Sequence, residues 1–423
     1  MTDMFSPLTL PCGQVLPNRL CKAAMEENMA DDGQVPGEDL RRLYGAWAEG
    51  SPGLVLTGNV MVDARALTGP GGVVLEKDTV SDDAVLAQFK RWAEAGKAGG
   101  SKLWMQISHP GRQVYKSQGT EAVSASATKV SMAGAEKMFD TARALSGDEV
   151  RAMVTRFADT AVAAEQCGFD GVQIHAAHGY LVAQFLSPLT NLRDDEYGGS
   201  LESRARVLLD IVSAIRARVS KGFGVAVKLN SADFQKGGFD VADAKRVVQM
   251  LNATGLDFIE LSGGSYESAA MMGMADDDGG QAAQSSTALR EMYFIGFAQD
   301  IATVADMPIM VTGGVTKFET AQAALEAGGV DIIGLARAFA YAPHLPRDWK
   351  AGENLNITIP TGKFKMKLLR ALGTMAMTKV QLDRLGAGKS VKPNVNALLA
   401  IIGDRIRISR LTKRYKAWLA ARN

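Results

Sequence analysis

Gly168-Phe169-Asp170-Gly171-Val172-Gln173-Ile174-His175-Ala176-Ala177-His178-Gly179-Tyr180 runs from a helix end through a strand into a cluster of proton-handling side chains. Gly168 suits the left-handed position that closes a helix, because it has no Cβ to clash there. The apolar residues that follow show no polar alternation, so both faces of the strand are covered, as in a parallel sheet. The same order of Gly, any residue, Asp and a short apolar strand returns at Gly255-Leu256-Asp257-Phe258-Ile259 and at Gly329-Val330-Asp331-Ile332-Ile333. Between these lie Val225-Ala226-Val227-Lys228-Leu229 and Pro308-Ile309-Met310-Val311-Thr312. Ahead of them come Leu20 to Met25, Gly53 to Thr57 and Leu103 to Ile107. Eight strands, each with a helix after it and no Gly-x-Gly-x-x-Gly after the first, predict an α/β fold. The type is a closed (β/α)8 TIM barrel rather than an open doubly wound sheet.

The remaining segments fit around that frame. Leu8-Thr9-Leu10 and Val15-Leu16, joined through Pro11-Cys12-Gly13-Gln14, read as an N-terminal hairpin that plugs one end. Leu40, Leu43, Tyr44 and Trp47 mark one amphipathic helix, and Val85, Leu86, Phe89, Trp92 and Ala93 mark the next. Ser146-x-x-Glu149 and Thr316-x-x-Glu319 read as capping boxes. From Thr361 onward 15 Lys and Arg stand against 2 Asp and Glu, so a basic tail follows an acidic body. Residues 1–350 are therefore assigned to the barrel and 351–423 to a basic, mainly helical C-terminal extension. Leu368, Leu369, Leu372 and Met375, then Leu398, Leu399 and Ile402, recur there at helical spacing. No aromatic ladder accompanies the charge, so we expect helices with a solvated basic face and no nucleic-acid partner.

Composition narrows the class further. With 423 residues, 47% of them hydrophobic and 22% charged, the chain can bury a large core. Cys12, Cys21 and Cys167 have no paired spacing, which argues against a disulfide framework, a zinc ribbon or an iron–sulfur cluster. The N-terminus has neither a basic run nor an apolar run of signal-peptide type. A cytoplasmic protein without a membrane span is the expectation, and homo-oligomerisation stays open.

Barrel active sites lie at strand C-terminal ends, where Gln106, His175, His178, Lys228 and Gly313-Gly314 all fall. His175 and His178 lack a third ligand at a familiar spacing, so no metal is assigned to them. Gly313-Gly314 and the Gly334-Leu335-Ala336-Arg337 turn follow strands seven and eight, the places where such barrels commonly hold a phosphate. Plain turn chemistry is the alternative reading of the paired glycines.

Asn18-Arg19, Gln106-x-x-His109-Pro110-Gly111-Arg112-Gln113, His175-x-x-His178-Gly179-Tyr180-Leu181, Gln184-Phe185-Leu186-Ser187-Pro188, the Arg193 to Arg206 run with Tyr197-Gly198-Gly199-Ser200, and Gly334-x-x-Arg337 form a set of motifs. Together they resemble the Old Yellow Enzyme family of FMN-dependent NAD(P)H oxidoreductases. The resemblance covers roughly the first 350 residues. It implies FMN in the barrel, NADH or NADPH as reductant, and ping-pong hydride transfer to a small electron-poor alkene. It further implies that Gln106 and Lys228 meet the polar edge of the flavin ring, and that Gly313, Gly314, Ala336 and Arg337 hold its phosphate. Ala24, Met25 and Asn59 would line the flavin face and its O4/N5 edge. His175 and His178 would donate hydrogen bonds to the substrate oxygen, and Tyr180 would protonate the α-carbon. Glu26 stands where the family usually has Thr or Cys, Lys228 where it usually has Arg, and Ala24 where it usually has Pro. The other readings are a flavin-dependent dehydrogenase, demethylase or quinone reductase on the same fold, and a flavin-free barrel acting as a lyase or a binding scaffold.

Overall fold

The structure is a computed structural model that describes residues 3–131, 136–262 and 295–422. Its centre is a ring of eight parallel strands: β1 Leu20–Lys22, β2 Leu54–Leu56, β3 Lys102–Ser108, β4 Gly171–Ala176, β5 Gly224–Asn230, β6 Phe258–Ser262, β7 Ile309–Thr312 and β8 Ile332–Leu335. Each strand pairs with its sequence neighbours, and β8 closes onto β1 through Ile333↔Leu20 and Leu335↔Lys22. The expected closed (β/α)8 barrel is thus the observed fold.

Outside the ring lie α1 Glu38–Ala48, α2 Asp83–Lys97, α3 Gly147–Gln166, α4 Leu201–Arg216, α5 Val241–Leu251, α6 at 295–302, α7 Phe318–Glu326 and α8 Arg337–Tyr341. Their apolar stripes and the outward strand residues form the main core. The glycines that open the repeats have the left-handed backbone they imply, with φ of 84° at Gly168, 71° at Gly255 and 80° at Gly329. Ser146 and Glu149 form the expected capping box on α3. Thr316 and Glu319 do not: α7 starts at Phe318 with Lys317 at its N-cap and no side-chain cap bond. The chain there is drawn instead toward 355–357, where the Phe318 amide donates to the Leu355 carbonyl and the Ile357 amide to the Thr316 carbonyl.

The barrel interior explains two further glycines. Trp104 and Phe258 fill the base with their ring centroids 5.0 Å apart. A Cβ at Gly171 or Gly224 would fall 2.5 Å or 1.9 Å from the Trp104 indole, so only glycine fits beside it. Leu10 and Leu16 of the N-terminal hairpin complete this apolar floor, as expected of a plug. With the base sealed, the open end is the one where the strands finish.

The C-terminal extension adds two long helices, α9 Lys367–Gly386 and α10 Ala397–Ala420. Leu382 and Leu385 of α9 join the main core, and the Arg42 guanidinium donates to the Gly386 carbonyl. Tyr415 of α10 is wholly buried and donates its hydroxyl to the Ala64 carbonyl at 2.9 Å. Arg407 and Arg414 donate to the carbonyls of Asn28 and Ala30. Cationic side chains of the extension thus satisfy carbonyls in the loop after β1. No helix among the described residues is long and apolar enough to cross a membrane.

Candidate active site

At the open end, β4 delivers His175 as its penultimate residue, and the chain then turns sharply. His178 and Gly179 both take positive φ, 60° and 73°. A non-glycine residue held there is strained unless its surroundings fix it. Here they do: the His178 amide donates to Asn230 Oδ1 at 3.1 Å, and Gln113 Nε2 donates to the carbonyls of His178 and Gly179 at 2.9 and 2.7 Å. Gln184 Nε2 also donates to the Gly179 carbonyl, at 2.6 Å. The turn folds Tyr180 back over β4, so that its ring centroid lies 4.8 Å from His175, while the two imidazoles are 4.9 Å apart. The sequence-predicted cluster of His175, His178 and Tyr180 is therefore brought together.

One hydrogen bond sets the proton position on His175. His175 Nδ1 accepts from the Ala177 amide at 3.2 Å, which leaves Nε2 to carry the proton of the neutral ring. His178 Nε2 is 2.8 Å from Ser262 Oγ. Burial, then the neighbouring His178 and the Lys228 ammonium, push the His175 pKa well below the ordinary histidine range, and burial and Lys228 do the same to His178. Both imidazoles are thereby neutral hydrogen-bonding groups at neutral pH.

Gln106 and Lys228, from β3 and β5, belong to one buried chain of polar groups inside the barrel. Gln106 Nε2 donates to Gln173 Oε1, Gln173 Nε2 to Glu260 Oε2, and Lys228 Nζ to Glu260 Oε1, each at 2.7 Å. The Gln106 amide is fixed in turn by Thr57 Oγ1 at 2.9 Å. Sequence reasoning missed Gln173 and Glu260. Their signal was a polar residue at an inward position of an otherwise apolar strand, in register with Gln106 and Lys228 respectively.

The other predicted positions surround this chain. Ala24 and Ala336 pack against the interior cluster, so the end of β1 and the start of α8 meet at the barrel mouth. Gly314 has φ of 61°, and the Val315 amide closes a tight turn onto the Gly313 carbonyl at 2.7 Å. Arg337 opens α8 directly after β8. A Cβ at Gly334 would lie 2.0 Å from Thr312 Oγ1, so the floor between β7 and β8 admits no side chain. Glu26 Oε1 accepts from Thr68 Oγ1 at 2.6 Å and Asn28 Nδ2 at 2.9 Å. Met25, half-buried, packs against the main core, and Asn59 lines the same small cavity as Glu26.

These residues fit FMN. A side-chain amide and a buried ammonium suit the acceptor and donor edge of a flavin, and a glycine turn beside an arginine suits a phosphate. Asn59 Oδ1, shortly after β2, and Thr312 Oγ1, at the end of β7, are buried polar atoms without a protein partner, as polar contacts to a ligand require. Among the described residues no group of His, Cys, Asp and Glu could hold a metal ion.

A second buried set stands behind β1, and sequence reasoning missed it too. Lys22 Nζ donates to the Leu56 carbonyl at 2.9 Å, lies 3.5 Å from Glu27 Oε1, and sits 4.1 Å from the Trp47 ring centroid. Tyr44 donates its hydroxyl to Glu27 at 2.7 Å and accepts the Gly58 amide at 3.0 Å. This set ties the segment carrying Met25 and Glu26 to the one carrying Asn59.

Compared with known proteins, residues 3–356 match the family described as NADH:flavin oxidoreductase / NADH oxidase. The NADH-dependent flavin oxidoreductase iliE of Hypocrea jecorina (strain QM6a) is 37% identical over 398 residues, which span 90% of this chain and 98% of that protein. The NADH-dependent flavin oxidoreductase nadA of Aspergillus parasiticus is 34% identical over 378 residues, covering 88% and 82%. Among solved structures, the old yellow enzyme homologue from Zymomonas mobilis superposes with a TM-score of 0.69 at 28% identity, covering 83% of this chain and 93% of that one. Morphinone reductase superposes with a TM-score of 0.68 at 26% identity, covering 84% and 91%.

Proposed function

The chain belongs to the NADH:flavin oxidoreductase / NADH oxidase family and is an FMN-dependent oxidoreductase, and we propose that it reduces the activated C=C bond of α,β-unsaturated carbonyl compounds in a ping-pong cycle. The chemistry that bound FMN supplies is hydride transfer, in from a nicotinamide and out to the β-carbon of the alkene. The relatives named as NADH-dependent favour NADH as the reductant.

The observation that carries this reading is the cluster at the end of β4. Neutral His175, with its proton on Nε2, and His178 are the hydrogen-bond donors for a carbonyl oxygen that gains enolate charge during the reaction. Their suppressed basicity suits that role, since an imidazolium would surrender its proton to the enolate oxygen rather than hold it. Tyr180, 4.8 Å from His175 between ring centroids, supplies the α-carbon proton. Gln106, Lys228, Asn59, Ala24, Met25 and Glu26 hold the flavin ring, and Gly313, Gly314, Ala336 and Arg337 its phosphate. Glu260 anchors Lys228 directly and Gln106 through Gln173, and so positions the two side chains assigned to the ring's polar edge.

The test is anaerobic: the purified yellow protein is bleached with NADH or NADPH, then mixed with enones, nitroalkenes and quinones. Rapid reoxidation by enones with formation of the saturated ketone is the expected result. Reoxidation by quinones alone would replace this reading with quinone reduction on the same fold.

A further inference from the structure

The C-terminal helices enclose a cavity of about 240 Å³ with the loops at the barrel mouth. Leu372, Met375, Ala376 and Lys379 of α9 line it, at spacings of three, four and seven residues, so they form one helix face. Ile401, Asp404, Arg405 and Ile408 of α10 line it at the same spacings. Two helices thus turn faces of equal spacing toward one space: that of α9 is apolar up to Lys379, and that of α10 sets Asp404 and Arg405 between Ile401 and Ile408. On the barrel side the lining includes Glu26, Asn28 and Thr68, joined by the bonds to Glu26 Oε1 described above, and Tyr115.

Two features connect this cavity to the chemistry. Lys379 donates to Asn28 Oδ1 at 2.8 Å, so α9 is tied to the segment that carries Glu26. Tyr115 lies two residues beyond Gln113, the side chain that clamps the His178-Gly179 turn. The cavity therefore opens between the loop after β1 and the loop after β3, both at the end of the barrel where His175, His178 and Tyr180 converge. Arg405 is exposed at its rim and makes no hydrogen bond or ion pair among the described residues. Space equal to about eight liquid waters holds a small ring system.

We propose that this seam between the extension and the barrel is a substrate-binding site, which takes the non-reacting part of an elongate, mainly apolar substrate that carries a carboxylate or carbonyl oxygen remote from its alkene. Leu372, Met375 and Ala376 of α9 with Ile401 and Ile408 of α10 receive the body of that molecule, and Arg405 receives its distant oxygen. The extension is then the element that sets substrate range, because binding energy gained away from the reacting carbon positions the alkene. This inference rests on the ene-reductase reading of the same enzyme.

The test uses the FMN-loaded full-length protein, a chalcone bearing a para-carboxylate on the ring remote from the alkene, 2-cyclohexenone as a substrate too short to reach the seam, and the saturated carboxylated dihydrochalcone as a non-reacting ligand. Arg405→Ala should raise the KM for the carboxylated chalcone and the calorimetric Kd for the saturated acid about tenfold. Leu372→Trp, which fills the cavity, should raise both by at least as much. Turnover of 2-cyclohexenone and flavin bleaching by NADH should stay within about twofold. Unchanged Kd in both variants, absent binding of the saturated acid to the parent protein, or an equal loss with 2-cyclohexenone would overturn the proposal. If no enone reoxidises the flavin while the Kd still rises in the variants, the binding site stands and the ene-reductase reading falls. Arg405 is exposed, so its variant carries the test should Leu372→Trp fold poorly.

Discussion

Replacing Glu27 by Gln removes one charge from a site where nothing else can balance it. Lys22 is fully buried, and its ammonium has Glu27 as its counter-ion, with the Leu56 carbonyl and the Trp47 ring as its other partners. Burial already pushes the Lys22 pKa down, and Glu27 is the first force opposing that shift. Glutamine keeps an acceptor for Tyr44 and the shape of the side chain, so the change isolates the charge. Breaking a buried pair this way costs about 3–5 kcal/mol. The cost has a ceiling, because Lys22 can release its proton. With an unfolded pKa near 10.4, that release costs about 4.6 kcal/mol at pH 7 and about 2 kcal/mol at pH 9. The sign follows directly: the unfolded chain binds the extra proton, so stability of the variant rises with pH. Unfolding entropies of about 2.1 cal/mol/K per residue convert the pH 7 loss to a Tm drop of about 3–6 °C for a chain of this length. Differential scanning calorimetry at pH 7 and pH 9 reads both quantities, and Lys22→Met added to Glu27→Gln should restore most of the loss. A Tm within one degree of the parent at pH 7, or the same deficit at both pH values, would refute the reasoning.

Tyr180→Phe keeps the aromatic wall and removes the proton, so enone-driven reoxidation should slow about 10²–10⁴-fold while NADH-driven bleaching and quinone reduction are spared; stopped-flow absorbance separates the two half-reactions, and equal losses in both would sink the assignment. Glu26→Thr removes a carboxylate from the proposed flavin edge and should raise the two-electron potential by about 30 mV, equal to 1.4 kcal/mol; a redox titration that finds no shift would place Glu26 away from the flavin. Buried His109, held at a pKa of about 4 chiefly by burial, binds its proton more readily in the unfolded chain. Its contribution therefore falls as pH drops from the unfolded value of about 6.5 toward 4, by about 3 kcal/mol in all, and His109→Asn should flatten the Tm profile across that window. Truncation after Ala351 strips Leu382, Leu385 and Tyr415 from buried positions and should lower Tm by about 5 °C or more without abolishing flavin bleaching; an unchanged Tm would contradict the packing described.

The barrel and the residue cluster at its open end were legible in the sequence because their signals are local. A glycine with φ near 80° and a run of apolar residues without alternation state a helix end and a doubly covered strand, whatever lies elsewhere in the chain. Three such repeats with five further apolar strands make eight units, which leave one closed arrangement, and strand ends then place His175, His178 and Tyr180 by counting alone. The capping box at Thr316 failed for the opposite reason: a distant segment, 355–357, binds the Phe318 amide and the Thr316 carbonyl, and the helix starts at Phe318 with Lys317 as its N-cap. Glu260 and Gln173 stayed hidden because a buried parallel strand shows no alternation, and only the closed register turns them inward beside Lys228 and Gln106. Glu27 stands in no local pattern, and only tertiary packing sets Lys22 and Tyr44 against it. The extension shows the division most plainly. Its helical period was readable, but which face α9 and α10 turn toward Glu26 depends on contacts across more than 300 residues of chain, such as Lys379 with Asn28, and a linear pattern carries no information about a partner that distant.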